Sequence, residues 1–202
     1  MPSGWSPWVI LLAVVIYGLV HSWLASLQAK ALAQRAFGIR AARFYRLAYN
    51  LFAALTLLPV LALAAALPDQ SIYIIPFPWV LVTTAIQLLS ALVIVVGIWQ
   101  TGLWSFIGLG QLARPQDDQP PKMVTHGLYR WVRHPLYTAG LVLIWLSPVM
   151  TRNLLVLLAS LSLYLVIGAV FEERKLVREF GQAYQSYRIN TPMLIPRPPK
   201  KT

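Results

Sequence analysis

The side chains able to do chemistry concentrate in two places. The first is Thr125-His126-Gly127-Leu128-Tyr129-Arg130-Trp131-Val132-Arg133-His134-Pro135-Leu136-Tyr137, polar and aromatic residues packed just ahead of an apolar run. Pro135 suits the first position of a helix, where its missing N–H costs nothing. The N–H groups of the next turn and the positive end of the helix then face outward, a natural seat for a carboxylate or similar anion. Arg130 and Arg133 would add charge-assisted donors. A plainer reading uses the same residues: the arginines anchor the helix at the headgroups, and Trp131, Tyr129 and Tyr137 form an interfacial belt. The second place is Glu172-Glu173, where another apolar run gives way to charge. A carboxylate at that depth is costly unless paired or hydrated, so the pair is a candidate for holding a ligand's amino group. Here the plainer reading is local pairing, Glu172 with Lys175 and Lys175 with Glu179 along one helix. His21, His126 and His134 stand on separated segments without the short spacing of a zinc-binding helix, so no metal site is expected. His21, Ser22 and Asn50 read as polar groups that join helices or line a cavity.

The elements that must position these residues are membrane helices. Of the 202 residues, 58% are hydrophobic and only 11% charged, which excludes a soluble domain of this size. A net charge of +11 could suggest nucleic acid, but the basic residues cluster between uncharged runs rather than along a helix face, so no nucleic-acid partner is expected. There is no cysteine, hence no disulfide and no protein thiol. Crossing the roughly 30 Å hydrocarbon layer takes about 20 helical residues, and residues 8–29, 47–68 and 79–99 meet that requirement. Two further runs, 136–150 and 154–171, read as a C-terminal helical hairpin whose first arm is short for a span, about 22 Å at ~1.5 Å per residue. Alternating strand periodicity is absent. The first run lacks the positive leader region of a cleaved signal and reads as a retained helix.

Sixteen of the 17 Lys and Arg residues flank one set of helix ends and only Arg152 the other, which predicts an external N-terminus and a cytoplasmic C-terminus. Residues 172–202 read as a cytoplasmic arm, amphipathic through Leu176, Val177, Phe180, Tyr184 and Tyr187. Pro192, Pro196, Pro198 and Pro199 then end regular structure in a basic tail that can lie on anionic headgroups. The expectation is an all-α, polytopic membrane protein with about five transmembrane helices, forming a single integral-membrane domain over 1–202. A bacterial inner membrane is the expected location, membrane lipid an expected neighbour, and the oligomeric state is left open.

The series His126-Gly127-Leu128-Tyr129, Arg133-His134-Pro135-Leu136-Tyr137, Gly140, Glu172-Glu173, Leu176, Phe180-Gly181, Tyr184, Tyr187 and Pro192 resembles the integral-membrane methyltransferases related to isoprenylcysteine carboxyl methyltransferase and phospholipid N-methyltransferase. Residues 106–111, 145–151, 172–177 and 192–196 are similar to the methanethiol S-methyltransferase branch. The resemblance implies S-adenosylmethionine as methyl donor. It implies cofactor binding by Gln111, His126, Gly127, Leu128, Tyr129, His134, Pro135, Leu136, Tyr137 and Glu172, with Arg133, His134 and Glu173 as positioning candidates and no assigned base. The implied acceptor is a small or apolar thiol such as methanethiol. A lipid, amine or isoprenylcysteine carboxyl acceptor, a nicotinamide-dependent reductase and a non-enzymatic accessory protein are the rival readings. Prenylcysteine enzymes similar to this carry an arginine about one turn before the matching glutamate, where Gly168 stands here.

Overall fold

In a computed structural model of the chain, which describes residues 4–107, 109 and 123–199, the apolar runs are helical, the form in which a chain in lipid satisfies its own backbone. Among the described residues four helices are long and apolar enough to cross a membrane, and one shorter apolar helix spans Pro135–Trp145. The protein is therefore an all-α, polytopic membrane protein.

The elements fall into two compact units: residues 1–73, 102–119 and 150–161, and residues 74–101, 120–149 and 162–202. In the first unit, α1 (Ser6–Ala25) stops four residues before the expected end of the first span. Ser26 is the reason: its backbone is extended (ψ 155°) and its hydroxyl accepts the Ala29 N–H, which starts a separate helix, α2 (Leu27–Phe37). Gly38, at φ 76°, then turns the chain into α3 (Ile39–Ala66), so α3 begins before the expected Leu47 and much of the first basic cluster is helical rather than loop. The core of this unit is Ile10, Val14, Val60 and Leu157. At its far end β1 (Ser71–Ile74) pairs with β2 (Val149–Thr151). Beside that pair, Asp69 accepts the Asn153 N–H at 3.0 Å, while the Asn153 amide donates to the Leu67 and Pro68 carbonyls. Burial pulls the Asp69 carboxyl up, but hydrogen bonds from Thr151, Asn153, Gln70 and Arg152 outweigh it and hold the group below its ordinary value.

The second unit contains α4 (Trp79–Thr101), a 3-10 turn (Gly127–Arg130), α6 (Pro135–Trp145) and α8 (Gln182–Asn190), α5 being the short Leu103–Ile107 helix of the first unit. The long α7 (Arg152–Phe180) runs from the first unit into the second. Helix α4 packs antiparallel on α6, with Gly97 opposite Leu136 and Gln87 opposite Leu143. A Cβ on Gly97 would stand 2.7 Å from Leu136 Cδ2, so glycine is what permits this approach.

Helix α6 ends at Trp145, five residues short of the expected Met150. Pro148 disfavours helical backbone at Ser147, and the Ser147 hydroxyl instead donates to the Val149 carbonyl at 2.8 Å. The early stop would strand carbonyls in lipid, and the Gln87 amide donates to that of Leu143 at 2.9 Å. Twenty-nine residues make α7 roughly 44 Å long, well beyond a ~30 Å hydrocarbon layer, so it carries its charged C-terminal turns out of the membrane. Gly181 (φ 56°) ends it. The described tail after α8 has no regular structure, as its prolines lead one to expect. Its backbone is strapped to the polar motif, Arg133 and His134 donating N–H groups to Pro192 and Met193, and Arg197 to Trp131.

Candidate functional site

All described members of the site belong to the second unit. Pro135 is buried at the start of α6, and His134, the residue before it, makes no side-chain cap, leaving the cap of the first turn to other groups. Helix α7 returns alongside α6, which brings Glu172 and Glu173 to the same end as His134.

The two carboxylates have different surroundings. Glu173, 7% exposed, is gripped by the Arg133 fork, Nε to Oε1 at 2.5 Å and Nη2 to Oε2 at 3.0 Å. It also accepts the Tyr184 hydroxyl at 3.3 Å and has His134 Nε2 at 3.3 Å. Arg133 Nη1 donates to the carbonyls of Arg188 and Thr191, so one guanidinium ties α6, α7, α8 and the tail together. A buried pair with this many partners is already satisfied. The Glu172 side chain, 44% exposed, accepts the Tyr137 hydroxyl at 2.8 Å and lies 3.8 Å from His134 Nδ1. The His134 and Tyr137 rings are nearly parallel, 5.2 Å apart at 2°. The acidic pair thus turns to α6 and the motif before it. Glu173 points inward, and Glu172 keeps an oxygen-rich face toward the outside.

The turn Gly127–Arg130 is fixed from α4. Gln100 Oε1 accepts the Leu128 N–H at 3.2 Å, and a Cβ on Gly127 would come within 2.3 Å of Gln100 Nε2. The φ of 61° favours glycine at position 127, whereas the Gln100 side-chain tip could move aside for a Cβ only by giving up its place against the turn. The Tyr129 carbonyl accepts the Tyr187 hydroxyl at 2.6 Å. Burial, then the charge of Glu172, pushes the Tyr129 phenol up to about 12. Burial, then Glu173, does the same to Tyr184, also to about 12. Burial, then Tyr184, raises Tyr187 as well. These phenols stay protonated at neutral pH, and Tyr184 and Tyr187 act as donors, to Glu173 and to the Tyr129 carbonyl.

Of the residues expected from sequence, Gly127, Leu128, Tyr129, Arg133, His134, Pro135, Leu136, Tyr137, Glu172 and Glu173 come together around the α6 start. His126 opens the turn with an exposed side chain that makes no cap. Gln111 lies outside the described residues. Sequence reasoning missed Gln100 and the backbone of Thr191 to Leu194. The first is a polar residue immediately after the expected span 79–99, inside the helix that runs on to Thr101.

Comparison with known proteins adds three findings. The sequence pattern of the phospholipid methyltransferase family matches residues 81–183. Methanethiol S-methyltransferase 1 of Bradyrhizobium diazoefficiens is 31% identical over 166 residues, 75% of this chain and 54% of that protein. The methanethiol S-methyltransferase of Crocosphaera subtropica is 37% identical over 87 residues, 43% of this chain and 34% of that protein. The chain thus spans about half the length of the first relative and about a third of the second. No solved structure matches.

Proposed function

The chain belongs to the phospholipid methyltransferase family, and from that membership we propose that it is a membrane methyltransferase that uses S-adenosylmethionine to methylate a small or apolar thiol such as methanethiol. The supporting observation is that two segments 35 to 40 residues apart in sequence meet through Tyr137 with Glu172 and Arg133 with Glu173. The thiol acceptor rests on the likeness to the methanethiol S-methyltransferases.

The residues suit such a donor. The half-exposed Glu172 carboxylate matches its ammonium, the α6 start its carboxylate, and the Tyr137 ring, backed by the buried His134 stacked beneath it, offers one flat face. His126, Gly127, Leu128, Tyr129, Pro135 and Leu136 complete the proposed lining, while Arg133, His134 and Glu173 hold it in place. Bound there, S-adenosylmethionine supplies a methyl group on a positively charged sulfur. The protein's share is to orient the partners and exclude water. The acceptor would enter as the thiolate, its proton left in bulk water, and the new carbon–sulfur bond would replace the bond between the methyl group and the donor's sulfur, so no protein base is assigned. The protonated tyrosines fit this absence of a base. The site faces the cytoplasm of a bacterial inner membrane, with the N-terminus outside, a reading that rests on the basic residues.

Saturable S-adenosylmethionine binding to the detergent-purified chain tests the proposal. Glu172→Gln should weaken it by about tenfold or more, the loss of one charge-assisted hydrogen bond. Head-space dimethyl sulfide after addition of methanethiol tests the acceptor. Wild-type protein that binds reduced nicotinamide cofactor but not S-adenosylmethionine overturns the proposal. A second reading, a lipid methyl acceptor, is favoured by the family description itself. Methylated lipid in mass spectra without dimethyl sulfide would select it.

A further inference from the structure

The first unit carries a groove that the proposed reaction does not use. It lies between α1 and α3, encloses about 360 Å³, and is walled by Ala13, Tyr17, Val20, Phe52, Pro59 and Leu63 among others. Ala13 and Pro59 are small or compact, which leaves space that larger side chains would fill. Both helices are of membrane length, and the wall residues Val20 and Phe52 are 42% and 41% exposed, so the groove opens toward the bilayer. The one hydroxyl of a small side chain on the wall, Thr56, donates to the Phe52 carbonyl at 2.7 Å. The wall therefore makes no demand for a polar ligand along that stretch, and hydrocarbon suits it.

One end of the groove is different. Tyr17 stacks on His21, His21 meets the Tyr49 hydroxyl at 2.7 Å, and the Tyr45 hydroxyl donates to the Leu24 carbonyl at 2.6 Å. The last bond brings Tyr45, the neighbour of Arg46 on α3, to the last turn of α1, and Lys30 lies in the first turn of the α2 helix that follows. Both side chains are exposed, and among the described residues neither is ion-paired to a carboxylate. Residues 1–68 contain no Asp or Glu, so α1, α2 and α3 themselves supply neither cation with a carboxylate partner. An apolar slot ending near two cations that have no carboxylate partner among the described residues has the layout of an anionic amphiphile.

We propose that the groove between α1 and α3 holds an acyl chain of an anionic phospholipid, whose phosphate is met by Lys30 and Arg46. The lipid is a resident of the first unit and not the methyl acceptor.

Native mass spectrometry of the full chain, released from detergent in the presence of phosphatidylglycerol or phosphatidylcholine, tests this directly. Wild type should retain phosphatidylglycerol over phosphatidylcholine by at least about fivefold, the effect expected of two cations near a headgroup. Lys30→Gln with Arg46→Gln, both at exposed positions, should bring the two lipids to near equality. Ala13→Phe, which fills the slot, should reduce retention of both, and size-exclusion and circular dichroism identify whether it has folded. Inorganic phosphate at millimolar level should not displace the lipid. Equal retention of both lipids by wild type, an unchanged preference in the double variant, or displacement by phosphate alone would each overturn the proposal.

Discussion

Arg133 and Glu172 illustrate two ways in which a charged residue can matter to one site. Arg133 spends its donors on Glu173, Arg188 and Thr191 and has its pair buried, so it is a clasp. Removing it leaves a carboxylate at low exposure with only the more exposed Arg188 guanidinium, 3.6 Å away, as counter-ion, so the cost lies near the lower end of the about 3–5 kcal/mol typical of breaking a buried pair. Arg133→Ala should therefore lower stability by about that amount in chemical denaturation of the detergent-solubilised protein, whereas Glu172→Gln should change it by less than about 1 kcal/mol. Equal effects of the two substitutions would remove the distinction between clasp and binding carboxylate. Adjacent glutamates in the sequence carry no mark of this difference. Successive residues on a helix point about 100° apart, and only the position of α6 decides which of them faces inward.

Among the elements, α6 depends most on its neighbours. Eleven residues give only about 16 Å of helix, too short to cross the hydrocarbon layer alone. Its start is strapped to the tail after α8, and its end is met by Gln87 from α4 and by the Trp145 indole, which donates to Ser162 at 2.8 Å. Gln87→Leu removes the donor to the Leu143 carbonyl and leaves that acceptor unsatisfied in an apolar environment. The expected loss is about 1–3 kcal/mol, read as faster hydrogen exchange at the end of α6. Unchanged exchange there would show that another group caps the helix. The hydrophobic run continuing to Met150 concealed the early stop; Ser147-Pro148 was the local signal for it.

For the molecule as a whole, the distribution of basic residues is an observable with a definite consequence. With Arg152 alone on one side, a C-terminal tag should be accessible only from the cytoplasm, and a cysteine introduced at Gln70 should be labelled by impermeant reagent from outside. Labelling at Gln70 only after permeabilisation would invert the orientation. The two compact units divide the work as proposed here: the second carries the candidate transfer site, and the first carries the lipid groove.

Fold class, the apolar runs and the motif residues were legible in the sequence because each rests on local physics. Span length follows from bilayer thickness, and Pro135 and Gly127 mark backbone needs at single positions. The inward turn of Glu173, the hold of Gln100 on the Gly127 turn and the strap of Pro192 and Met193 on Arg133 and His134 were not legible. Each is a hydrogen bond between residues at least 27 positions apart, and such a bond exists only once the helices have packed in one register. Composition and periodicity specify what each segment buries, but which side chain meets which is decided by the tertiary arrangement alone.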